Sequence, residues 1–199
     1  MSSCFKEDEK ITPVRPGDVS TVVIEMLPDY SIQSYFNLSS GEVVVSNLKD
    51  IWDLGLSCET DDYTLILNTA RFIKIAHTGS DNFDVTYTTE GFIWQFDEST
   101  GNPSGNAIGQ WWDSTSSGPV SHREVLLVDR GIDSEGLPAG YYKIQPLINS
   151  STGEVSIRIA NLNGSDERTF SFTKASGLNY TTMSFEDGQN AVQPEPLIN

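Results

Sequence analysis

From residue 19 onward the chain is a succession of short segments rich in β-branched and aromatic residues, interrupted at fairly regular spacing by clusters of Gly, Asn, Asp, Ser and Pro. A helix needs an apolar stripe sustained over three or more turns, and no segment offers one, so the pattern restricts the chain to β structure. Strands are expected at 19–27, 34–37, 42–46, 51–58, 64–68, 72–77, 92–96, 124–129, 141–148, 154–160, 168–173 and 181–185. Segments this short, joined by hairpin-length gaps, predict an all-β fold: a two-sheet antiparallel sandwich or open barrel with little helix. Leu38-Ser39-Ser40-Gly41 and Ser150-Ser151-Thr152-Gly153 read as hairpin turns, with glycine at the position of positive φ. Two stretches lack strand character, 79–90 and 97–122. Loops of such length in a compact domain either carry function or are ordered by their own contacts.

Charge and hydropathy narrow the function. With 12 Lys+Arg against 28 Asp+Glu the net charge is -16, which opposes binding to nucleic-acid phosphates or to an anionic membrane surface. A hydrophobic content of 37% with 10% aromatic is too rich for a disordered acidic chain. No run approaches the ~20 apolar residues of a membrane-spanning helix. Two cysteines and two histidines leave little material for a thiolate zinc site or a disulfide framework.

The first residues, Met1 to Lys10, are polar, with Cys4 alone ahead of Glu7, Asp8 and Glu9. This resembles the start of a mature bacterial lipoprotein, in which acyl chains on the cysteine supply membrane affinity and an acidic tether holds the domain away from the surface. Cys4 is thus the candidate lipidation site; the alternative is an incidental thiol in a polar tail. The expected organisation is a tether over 1–18, one β domain over 19–193, and a tail over 194–199. A faint internal echo pairs the segment 35–45 with 182–192, with Gly41 and Gly188 in register; after the first copy comes Trp52-Asp53-Leu54.

For chemistry, the chain lacks a Gly-x-Ser-x-Gly elbow, a phosphate-cradling glycine loop before a helix and a His-Glu-x-x-His helix, so no enzymatic activity is expected. Adjacent carboxylates such as Asp97-Glu98 carry no information in so acidic a chain. The Asn161-Leu162-Asn163-Gly164-Ser165-Asp166-Glu167 run offers hard oxygens for calcium but matches a plain Asn-Gly hairpin better. His77 and His122 flank the irregular stretches, and two neutral imidazoles can ligate a haem iron from opposite faces. They can equally be surface histidines. Trp111-Trp112 lies within 97–122, the preferred ligand region, and would be costly to leave in water; covering an open sheet end is the other reading.

Longer runs carry a family resemblance: Tyr35-Phe36-Asn37-Leu38, Gly41-Glu42-Val43, Trp52-Asp53-Leu54, Leu67-Asn68-Thr69-Ala70, Gly109-Gln110-Trp111, Val128-Asp129-Arg130-Gly131 and Tyr142-Lys143-Ile144-Gln145. Together they resemble the HmuY-like proteins, lipid-anchored, β-rich haem carriers of Gram-negative anaerobes. The resemblance implies a two-sheet β domain at the outer membrane and cell surface, acting as a hemophore that grips haem between loops and passes it to an outer-membrane receptor for iron acquisition. On that reading His77 and His122 are the axial ligands of the haem iron. The alternative expectation is a cell-surface glycan-binding or adhesin-type β module without haem, with Trp111, Trp112 and Tyr87 stacking on sugar rings.

Overall fold

The computed structural model describes residues 21–24, 27, 29–100, 102–189 and 193–196. Among these the fold is all-β and antiparallel, with two single-turn 3-10 segments at Thr69–Arg71 and Pro103–Gly105 as its helical content. The strands are β1 (Ile32–Asn37), β2 (Glu42–Leu48), β3 (Leu54–Ser57), β4 (Leu65–Leu67), β5 (Lys74–His77), β6 (Trp112–Thr115), β7 (Gly118–Ser121), β8 (Leu126–Asp129), β9 (Tyr141–Ile148), β10 (Val155–Asn161), β11 (Arg168–Phe172), β12 (Tyr180–Ser184) and β13 (Gly188–Gln189). A five-stranded sheet runs β11-β10-β9-β8-β5, a four-stranded sheet runs β13-β12-β3-β4, and β1-β2 and β6-β7 are separate hairpins. Each large sheet keeps two edge strands and no barrel closes, an arrangement consistent with the expected sandwich.

Alternation along the strands builds this arrangement. In β9 and β10, Ile144 pairs with Ile159 and Pro146 with Ile157, while Lys143 pairs with Ala160 and Gln145 with Arg158 on the opposite face. Successive side chains of a strand point to opposite faces, so the first set faces the four-stranded sheet and the second faces away. Ile75, Leu126, Val128, Ile144, Ile157 and Ile159 thereby share one core with Leu54, Leu56, Leu65 and Leu67 of β3 and β4, all of them buried. Burial of each such side chain contributes about 1.5–3 kcal/mol relative to exposure.

The outer face of the five-stranded sheet is also covered. Phe83 packs with Val125 and Ala160, and Tyr87 packs against them. Lys143, wholly buried, donates from Nζ to the Phe83 carbonyl at 2.6 Å and the Val85 carbonyl at 2.9 Å. Gln145 donates to the Asp81 carbonyl at 2.9 Å and the Arg123 carbonyl at 2.5 Å. The stretch 79–90 is therefore a sheet cover fixed by two inward-reaching polar side chains of β9.

An ion network seals one end of the sandwich. Asp53, fully buried just before β3, accepts from Arg71 Nη1 at 2.6 Å and from Arg130 Nε and Nη2 at 3.1 and 3.0 Å. The amide of Phe185 donates to its Oδ2 at 2.8 Å, and Arg130 Nη1 reaches Glu186 at 2.6 Å. Burial by itself would lower the Arg130 guanidinium, but the charges and hydrogen bonds of Asp53 and Glu186 together outweigh it and hold the side chain firmly protonated. Gly131 makes the close approach there: its φ is +66, and a Cβ would run into the Arg71 carbonyl.

Several carboxylates tie stability to pH. The Arg130 hydrogen bond and charge lower Glu186; for Asp50 and Asp62 burial works upward, but hydrogen bonds from Ser134, and from Ser57 and Thr64, outweigh it and lower both. A carboxylate with a depressed folded-state pKa stabilises the fold above its unfolded value and loses that contribution as it is protonated. Stability measured by urea unfolding is expected to hold from neutral pH down to about 4.5 and fall steadily below it. A flat profile to pH 3 would contradict these assignments.

Most expected strands appear within a few residues of their expected bounds. The segment 92–96 is corrected: only Gln95 makes a bridge, to Ile75. Trp112–Thr115 and Gly118–Ser121 form a hairpin inside the stretch expected to be irregular. Of 19–27, the described residues 21–24 and 27 are not in a strand. Both expected hairpin turns occur, with Gly41 and Gly153 each at φ 71. The run 161–167 is the β10–β11 turn, its Asn163 carboxamide oxygen accepting from the Ser165 amide and hydroxyl.

Candidate functional site

A concavity lies where one side of the four-stranded sheet meets β1 and the segment 97–106. It encloses about 390 Å³, and its walls carry the rings of Tyr35, Trp52 and Tyr180, with Gln33, Asn102 and Asn179 among its amides. Each comes from a different element. Tyr35 is on β1, Tyr180 opens β12, and Trp52 precedes β3, where its indole N–H donates to Gln33 Oε1 at 3.2 Å. Trp52 is buried and forms the floor; Tyr35 and Tyr180 are half-buried and flank it.

Among the described residues three carboxylates line the groove, and no Lys, Arg or His does. Asp97 Oδ1 accepts from the Ala107 amide and Oδ2 from the Leu67 amide, both at 2.7 Å, so this side chain staples the 97–106 segment to β4. Burial raises the Asp97 pKa against those two backbone hydrogen bonds. Glu195 accepts from the amides of Asn179 at 3.2 Å and Tyr180 at 3.1 Å, and from the Asn179 side chain. Two residues earlier, Gln193 Oε1 accepts from the Thr182 amide at 2.7 Å, so these side chains cover the edge of β12. Burial pushes the Tyr35 phenol up to about 12, with Glu195 adding to the effect, and burial likewise raises Tyr180. Both phenols are therefore neutral hydrogen-bonding groups at physiological pH.

The two histidines are elsewhere. His77 closes β5 at the rim of the core; its Nδ1 is 2.9 Å from Glu124 and its Nε2 is 3.0 Å from the Ala107 carbonyl. His122 follows β7, with Nε2 3.0 Å from Asp113. His122 and Glu124 line an open cleft with Gly79, Ser80 and Asp81, and Glu124 is the partner of His77. This donor set does not fit a haem iron. Both ring nitrogens of His77 face oxygen acceptors, leaving no lone pair directed outward, and the cleft offers carboxylates where a porphyrin needs apolar walls.

The aromatic trio expected to stack on sugars is not assembled. Trp111 is buried, its indole N–H donating to the Tyr63 carbonyl at 2.8 Å, and Trp112 packs edge-on against Tyr63 with ring centroids 4.9 Å apart. Tyr87 donates its hydroxyl to the Asn82 carbonyl at 2.9 Å as part of the sheet cover. Only the first part of the preferred ligand region, 97–106, reaches the groove. Cys4 lies outside the described residues.

The groove aromatics were missed because they are far apart in the chain. One signal does point to them: the internal echo sets Tyr35 opposite Thr182, and both line the groove. Comparison of the chain with protein-family models, with curated proteins and with solved structures finds no match in any of the three.

Proposed function

We propose that the chain is a non-enzymatic ligand-binding β module whose ligand is a glycan segment held in the groove of Tyr35, Trp52 and Tyr180. The supporting observation is the composition of that groove: half-buried rings flanked by carboxamides, the combination that stacks on the apolar face of a sugar while hydrogen-bonding its hydroxyls. Two of its three carboxylates bind backbone amides, which suits a binding wall rather than an acid-base pair. Among the described residues its lining carries three carboxylates and no cation, which disfavours the propionates of a tetrapyrrole. Display at a cell surface through lipid on Cys4 belongs to the same proposal; intact mass of native protein, with and without Cys4→Ala, tests it.

The test is binding to a panel of oligosaccharides followed by calorimetry on the ligands retained. Tyr180→Ala is expected to weaken binding about tenfold, the order of one aromatic contact, whereas Trp112→Ala leaves it unchanged. Equal loss in both variants, or no glycan retained, would overturn the groove assignment. Haemin titration distinguishes the other reading: no low-spin spectrum dependent on His77 and His122 is expected. A low-spin spectrum abolished by His77→Ala or His122→Ala would restore haem as the ligand.

A further inference from the structure

The groove's charge carries the reading one step further. Of its three carboxylates, Asp97 and Glu195 have their oxygens occupied by backbone amides. Glu98 differs. It is exposed, it lines the groove, and among the described residues its carboxylate makes no hydrogen bond or ion pair. Its backbone N–H donates to the Gly105 carbonyl at 3.0 Å, and its side chain lies over Gly105 so closely that a Cβ there would collide with the carboxylate. Gly105 thus leaves the space in which the Glu98 carboxylate sits.

Resting on the glycan reading above, we propose that the groove selects sugars bearing a free protonated amine, such as de-N-acetylated hexosamines, and that Glu98 is the counter-charge. An ammonium group gains twice in such a site. It meets a carboxylate with no partner among the described residues, in a groove also lined by Tyr35 and Tyr180, whose ring quadrupoles attract a cation placed over a ring face. Acidic sugars are repelled by all three carboxylates, and N-acetylated sugars gain neither charge interaction.

The experiment is calorimetric titration of the full chain at pH 6 with three hexasaccharides: β-1,4-linked glucosamine, its fully N-acetylated form and a polyuronate. The amine form is expected to bind at least tenfold more tightly than the N-acetylated form, and the polyuronate not at all. Because the whole chain is strongly acidic, general attraction must be separated from the groove. Glu98→Gln is expected to abolish the tenfold preference, and Gly105→Ala, which displaces the same carboxylate, to reduce it. Glu154→Gln, which removes one exposed charge in the β9–β10 turn, should leave it intact. Equal affinity for the amine and N-acetylated forms would overturn the charge selectivity while the glycan reading stands. A preference that survives Glu98→Gln would also overturn it. Failure of every sugar to bind would overturn both.

Discussion

Asp53→Asn is expected to destabilise the fold by about 3–5 kcal/mol, the usual consequence of removing one partner from a buried ion network. The substitution preserves shape but leaves Arg71 and Arg130, both buried, facing each other without their shared anion. The Phe185 amide also loses its charged acceptor. The measurement is the urea midpoint at pH 7, read together with the slope to confirm that the unfolded reference is unchanged. Glu186→Gln provides the contrast. Its carboxyl is largely exposed, with a side-chain accessibility of 59%, so its pairing with Arg130 is expected to contribute below about 1 kcal/mol. Similar losses for the two variants would show that the network acts through surface charge rather than through burial.

The second large effect is expected at Lys143. Replacement by Met keeps most of the volume in the sheet but removes the donor that satisfies the Phe83 and Val85 carbonyls, for an expected loss of about 2–4 kcal/mol. Burial holds the Lys143 ammonium below the ordinary lysine range, partly offset by Asp84. It also lies 4.8 Å from the centroid of the Phe83 ring. The loss should be local: amide exchange is expected to accelerate across 81–87 while β8, β9 and β10 keep their protection. Acceleration spread evenly over all strands would mean that the cover and the sheet open as one unit.

The strand pattern was legible because it depends on local alternation and turn chemistry, which the sequence displays directly. Tyr141–Ile148 falls where it was expected, and the glycines of its turn and of the β1–β2 turn adopt positive φ. Segment 92–96 looked like a strand for the same local reasons, yet Ile93 is 80% exposed and only Gln95 finds a partner. Pairing is a tertiary property that composition does not encode. The same limit applies to the site. Tyr35 and Tyr180 stand 145 positions apart by their numbering and line one groove although their strands belong to different sheets, whereas Trp111-Trp112 drew attention by adjacency and proved to be packing residues. His77 has both ring nitrogens engaged, by Glu124 and by the Ala107 carbonyl, and His122 has Nε2 engaged by Asp113.

The side chains of Gln193 and Glu195 have a consequence beyond the groove wall. They accept from the amides of Thr182 and Tyr180, the groups through which β12 would otherwise recruit another strand. An exposed row of this kind is a template for edge-to-edge aggregation, and proteins commonly block it with a bulge, a proline or a charge. Here two acceptor side chains cover it, with the Pro194 carbonyl between them accepting from the Asn47 side-chain amide at 2.9 Å. The amides of this stretch of β12 are thereby satisfied within the chain, by the same short segment whose Glu195 lines the groove beside Tyr180.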